Sequence, residues 1–194
     1  MTVVALVGSK GCSVTDGSWS DYVADAGTDA AAIDTTATDM SDAASAVTSG
    51  VDGIDTSALP DDAGSAITDA GYDASQAGSW SDWAQGDLGT AASWQDTAAG
   101  DVQDAQSWLA YGNVDGYEEA MGSAQTAMDI AGENVSQAST DAGIGAEYMD
   151  GSVSGLDTAA TDLSSVDATT SYDASASYDA GAAAVESAVD AAGE

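Results

Sequence analysis

Ile33, Met40, Val47, Val51 and Ile54 lie on one phase of a step that alternates between three and four residues, and Ala26, Ala30, Ala37 and Ala44 fill the gaps. A mean step of 3.5 residues holds one stripe of a helix against a neighbouring helix along its whole length. The step stops before Pro60, which removes a backbone donor and turns its neighbour out of the helical region.

Two further runs keep the same step. The second is Ala63, Ile67, Ala70, Ala74, Ala77, Ala84, Leu88, Ala91, Ala98, Val102, Ala105 and Leu109, with Ser81 and Gln95 as its polar members. Gly112, Asn113 and Gly116 break it. The third is Tyr117, Met121, Ala124, Met128, Ala131, Val135, Ala138, Ala142, Ala146, Met149, Val153, Leu156, Ala160 and Leu163. Its successive four-residue steps at 138, 142 and 146 predict a stutter, which unwinds a supercoil locally. Tyr178, Ala182, Val185 and Val189 mark a shorter last helix.

The spacing therefore predicts an all-α chain of long, Ala-rich heptad helices, packed as a coiled coil or an elongated helical bundle. The helices are expected over 19–57, 62–111, 117–165 and 172–192, within a body spanning 19–194. Alanine is common enough to match any period by chance, so the larger residues define the packing seam. These are Ile33, Met40, Val47, Val51, Ile54, Met121, Met128, Val135, Met149, Val153, Leu156 and Leu163. Trp80, Trp94 and Trp108 recur two heptads apart, one position before the seam, and are expected to form an aromatic contact stripe. Gly and Thr inside these helices cost up to about 1 kcal/mol each relative to Ala. Packing, within the chain or with other chains, must supply the stability.

Residues 1–18 differ. Thr2 to Val7 is a β-branched run that reads as a short strand, and Gly8-Ser9-Lys10-Gly11 follows as a loop. A lone strand leaves half of its backbone groups unpaired, so this segment is expected to anchor the chain to a partner. Met1 to Gly11 also resembles the opening of ParA/MinD-type ATPases, where a strand runs into a phosphate-binding loop. Cys12-Ser13-Val14-Thr15-Asp16 stands where that family has a Gly-Lys-Thr opening a helix. The second lysine and the magnesium-binding hydroxyl are missing, so the resemblance implies no activity.

Charge narrows the function. Thirty-four acidic residues face a single base, Lys10, for a formal net charge of -33, and the chain has no His. Such repulsion opposes compaction in dilute buffer. The Debye length falls from about 10 Å at 0.1 M salt to about 3 Å at 1 M, so concentrated salt removes most of it. The composition resembles that of halophiles that accumulate salt, above all haloarchaea. Phosphate-backbone binding needs cationic side chains, so nucleic acid is excluded as a partner. No apolar run approaches the roughly 20 residues that span a bilayer. The apolar run Val3 to Val7 lacks a basic region before it, so folding in a high-salt cytoplasm without a signal peptide is expected.

The catalytic inventory is thin. Without imidazole there is no Ser-His-Asp triad and no common zinc ligand set, and without Arg there is no phosphate clamp. Asp is so frequent that carboxylate pairs arise by chance. No catalytic, cofactor-binding or metal-ligating residue is assigned, and only diffuse binding of potassium, sodium or magnesium ions is expected. Asp61, Asp62, Glu118 and Glu119 read as favourable charges at helix N-termini.

The expected function is a non-enzymatic structural or assembly protein of a halophilic system, acting as a homo-oligomer or within a multi-subunit particle. A tail, fibre or capsid-associated component of a haloarchaeal virus fits, and a cellular scaffold or filament protein fits nearly as well. The Trp-bearing helices also resemble small secreted or adaptor proteins of the WXG type. Trp80, Trp83, Trp94 and Trp108 all lack the glycine two residues on that defines their turn.

Overall fold

The structure, a computed structural model, describes residues 18–164. Three long helices pack together: α1 (Ser18–Asp52), α2 (Asp61–Ala110) and α3 (Val114–Ser164). Among the described residues there is no strand. The expected N-terminal strand and the helix over 172–192 lie outside them.

The first helix ends at Asp52, five residues before the expected end at 57. Gly53 follows, and the Ile54 amide closes a turn by donating to the Val51 carbonyl. The Asp55 carboxylate then accepts from both the amide and the hydroxyl of Ser57, capping a 3-10 turn at Thr56–Ala58. Leu59 is extended, as a residue before proline should be. α2 starts at once, with the Gly64 amide donating to the Pro60 carbonyl and with Asp61 and Asp62 in its first turn. Negative charge is favourable at that end of a helix.

α3 begins at Val114, three residues earlier than expected. Gly112 adopts φ 71°, which glycine alone enters without cost. Its amide donates to the Leu109 carbonyl and that of Asn113 to the Trp108 carbonyl, the paired bonds of a Schellman stop. Asn113 at once caps the next helix, its Oδ1 accepting from the Gly116 amide. One residue thus ends α2 and opens α3. Glu118 and Glu119 consequently sit a turn inside the helix, and Asp115 is the acid of its first turn.

Burial follows the three-four step closely. On α2 the buried positions in this phase are Ala63, Ile67, Ala70, Ala74, Ala77, Ser81, Ala84, Leu88, Ala91, Ala98 and Ala105, with Gln95 and Val102 half-buried in phase. On α3 the buried phase is Ala124, Met128, Ala131, Val135, Ala138, Ala142, Gly145, Met149, Ser152, Leu156 and Ala159. The expected stutter is absent, because the step runs through Gly145, Ser152 and Ala159 where the sequence reading used Ala146, Val153 and Ala160. Those three are half-buried. Small residues, apolar or not, fill most of the contact, with Ile67, Met128 and Val47 as its largest fully buried side chains. Of the 25 buried hydrophobic residues described, 17 are alanine, which suits interaxial distances near the lower end of about 8–10 Å.

The hydroxyls in these helices bond within their own turns. Thr48, Thr68, Ser81, Thr90, Ser93, Thr97 and Thr126 each donate to the carbonyl four residues back. A Ser- and Thr-rich helix thus satisfies its side chains without a partner helix.

The chain divides into two compact units. The bundle unit comprises Thr35–Trp83 with Asp141–Glu194, and the hairpin unit Met1–Asp34 with Ala84–Thr140. In the bundle unit, a Cβ on Gly71 would meet Val51 Cγ1 at 2.9 Å and one on Gly78 would meet Ala44 Cβ at 3.5 Å, so α1 and α2 run antiparallel. Ser152 Oγ donates to the Ala70 carbonyl at 2.9 Å, and Gly155 faces Ala66 and Ala70, so α2 and α3 are antiparallel as well. In the hairpin unit Ala98, Ala124, Ala127 and Met128 form a buried cluster, with Trp94 and Val102 packed against it.

Candidate contact surface

The residues expected at the seam are not equally buried. Met40, Val47, Met128, Val135, Met149 and Leu156 are buried, while Ile33, Val51, Ile54, Met121, Val153 and Leu163 are half-buried. The half-buried ones include those nearest the helix ends, where fewer neighbours cover them.

Each tryptophan of the expected stripe has its own surroundings. Trp80 is half-buried beside Gly145, where an added Cβ would meet Trp80 Cβ at 3.3 Å and Met40 Cε at 2.5 Å. Its ring meets Trp83 edge-on with centroids 4.5 Å apart. Trp94 lies on the Ala98 cluster. Trp108 covers Gly116, whose added Cβ would approach the indole to 2.9 Å. Large residues on α2 therefore meet glycine on α3 at two of the three positions. This complementarity was missed in the sequence because Gly116 read as a breaker and the three-four step was carried through Ala146 and not Gly145.

Exposed apolar side chains gather at one place. Trp108 is 45% exposed, Leu109 51%, Tyr111 84% and Val114 55%, in the turn that joins α2 to α3 and the helix ends that flank it. Tyr72 and Trp83 are the other exposed large apolar residues described, and both lie in the bundle unit. The tip exposes on the order of 400 Å² of apolar side chain, the size at which patches on soluble chains are commonly functional. The Schellman stop and the Asn113 cap hold the turn, so the patch is presented by ordered backbone.

Beside the tip, the hairpin unit carries an open groove of about 430 Å³ lined by Trp94, Thr97, Asp101, Glu119, Gly122, Ser123, Thr126, Ala127 and Ile130. Its lining mixes the apolar Trp94, Ala127 and Ile130 with hydroxyls and one carboxylate from each helix.

Two further groups stand out. Gln95 occupies a seam position with its Nε2 enclosed and without a hydrogen-bond partner. Burial, and then the neighbouring Asp69 charge, raise the Asp73 carboxyl above its ordinary value. Among the described residues no cluster of three or more His, Cys, Asp or Glu could hold a metal ion. No described helix is long and apolar enough to cross a membrane. Searches of known protein families, of curated proteins and of solved structures find no match to this chain.

Proposed function

We propose that the chain is a non-enzymatic structural protein that assembles with other chains in concentrated salt, with the α2–α3 tip as its principal contact. The observation that carries this reading is the tip itself. A chain dense in carboxylates keeps four large apolar side chains exposed within seven residues, on a turn secured by its own hydrogen bonds. The three-four phase of burial along α2 supports a coiled-coil geometry for the helices, with alanine at most of the buried positions. The net charge of -33 supports a halophilic setting, because only strong screening lets such surfaces approach one another.

Among assemblies, a haloarchaeal virus particle in which the chain serves as a tail, fibre or capsid-associated subunit is the reading we favour. Its support is the charge balance and a residue set without imidazole or guanidinium. Sedimentation of the chain in about 3 M KCl, where the Debye length is below about 3 Å, tests assembly. Oligomers that dissociate in a Leu109→Ser, Tyr111→Ser double variant with unchanged circular dichroism are expected. A monomer at all concentrations in high salt would remove the self-association part of the reading. Recovery from purified particles at fixed copy number would support the particle role, and recovery as a soluble dimer from culture medium would favour a WXG-type secreted protein.

A further inference from the structure

The groove of the hairpin unit lies open between α2 and α3, with Trp94, Asp101, Glu119 and Ile130 among its lining residues. Trp94, Asp101 and Ile130 are half-buried, and Glu119 is exposed. An added Cβ on Gly122, which also lines the groove, would meet nothing within 4 Å. The exposed tip belongs to the same unit. Its run from Ala105 to Val114 holds no carboxylate, and no stretch of the described residues goes longer without one. Large exposed apolar side chains and freedom from charge thus coincide at one place. No Lys, Arg or His is among the described residues to neutralise the two groove carboxylates. A surface that adds no carboxylate of its own meets them with the least repulsion.

We propose that the occupant of this groove is the α2–α3 tip of a second copy, and that the exchange is mutual, each tip lying in the other copy's groove about a two-fold axis. This partner deepens the reading of the tip as a contact between chains and rests on it. Area favours the exchange. Two tips meeting end to end would bury about 800 Å² in all, the size of a lattice contact, against about 1,200 Å² or more for stable specific pairs. Seating each tip in a groove adds the walls of both grooves, and a two-fold contact closes at two copies. Register permits it. Trp94 precedes Trp108 by 14 residues, about 21 Å along one helix. Two hairpin units overlapping side by side by that length bring each tip level with the other copy's Trp94. Leu109 and Tyr111 then cover Trp94 and Ile130. Asp101 and Glu119 of both copies are drawn together, so the pair forms only under strong screening.

Disulfide trapping between full-length chains provides the test, with Cys12→Ser in every variant to remove the single native thiol. Tyr111→Cys places a thiol at the tip and Ser123→Cys an exposed one on the groove. Gln103→Cys places an exposed one about half a turn round α2 from Trp94 and Asp101. Each variant is oxidised in concentrated KCl after circular dichroism shows unchanged helicity. Tyr111→Cys mixed with Ser123→Cys should give several-fold more mixed dimer than Tyr111→Cys gives with itself or with Gln103→Cys. A chain carrying both Tyr111→Cys and Ser123→Cys should stop at a doubly bridged dimer. Adding Asp101→Asn and Glu119→Gln should lower the salt needed for half-maximal bridging. Four outcomes would each overturn the mutual exchange and leave assembly through the tip standing: dominant bridging of Tyr111→Cys with itself, equal bridging with Gln103→Cys, a ladder of larger species from the double variant, or a salt requirement indifferent to the neutralised groove. A chain that sediments as a monomer throughout would remove both.

Discussion

The two units of the chain use the same composition differently. In the bundle unit, glycine marks helix contact: a Cβ on Gly71, Gly145, Gly151 or Gly155 would run into Val51, Met40, Asp73 or Ala66 and Ala70. In the hairpin unit Gly116 is covered by Trp108, but Gly86, Gly89, Gly100 and Gly122 have nothing within 4 Å of where a Cβ would be. Polar seam positions divide the same way. Ser81 and Ser152, in the bundle unit, both donate to carbonyls, whereas Gln95 in the hairpin unit has an enclosed amide nitrogen without a partner. One glycine-rich, alanine-rich text thus encodes a closely fitted unit and a more open one. Helix propensity alone would treat them alike.

Five experiments sharpen or break that contrast. The largest effect should come from salt. Dilution from about 3 M KCl to below about 0.5 M lengthens the screening distance and should remove most of the helical signal by circular dichroism. Hydrogen exchange during the dilution should report opening of the hairpin unit first. Full helicity in low salt would remove the halophilic reading. Next in size are charges placed in the seam. Val47→Asp and Leu156→Asp should each cost about 4 kcal/mol or more, since both positions are buried and no Lys, Arg or His is among the described residues. Thr158→Asp, on an exposed position, should be close to neutral in high salt. Denaturant titration that finds the three alike would show that the burial phase is misassigned.

Glycine substitutions come third. Gly155→Ala presses on the Ala66 carbonyl and Gly71→Ala on the stiff Val51 side chain, and each should destabilise by about 1–3 kcal/mol. Gly86→Ala and Gly100→Ala should instead stabilise by about 0.5–1 kcal/mol each, through helix propensity and the unfolded chain. Thermal melts of the four single variants measure this, and a shared sign would erase the contrast between the units. The polar seam residues come fourth: Ser152→Ala should cost about 1 kcal/mol, and Gln95→Met should gain about 1 kcal/mol by removing an unmet donor.

The smallest effect is expected at Asp73. Its folded carboxyl is raised above the ordinary value by desolvation, with the Asp69 charge adding to it. Charge there opposes folding at neutral pH, and the penalty disappears as pH falls through the raised value into the ordinary carboxylate range. Asp73→Asn should therefore raise the melting temperature slightly at pH 7 and leave it unchanged at strongly acidic pH. A gain that persists in acid would point to packing against Gly151 instead of charge.

Much of the fold was legible in the residues because the heptad step is a local property of each helix. Met40, Val47, Met128, Val135, Met149 and Leu156, assigned to one stripe from their three-four spacing, are buried, and the other six residues of that assignment are half-buried. The contact surface was legible in part. The tryptophans advertised themselves by their 14-residue spacing, but the spacing did not say that Trp108 would cover Gly116, or that Leu109, Tyr111 and Val114 would be left exposed beside it.

What the sequence by itself determined is the helical class, the period of burial and the break at Pro60, since each depends on residue type and spacing along one chain. What only the tertiary structure decided is which small residue fills each contact. Gly145 replaces Ala146 and Ser152 replaces Val153 on the buried stripe of α3, because the distance between two helix axes selects for size, and that distance is set by both helices together.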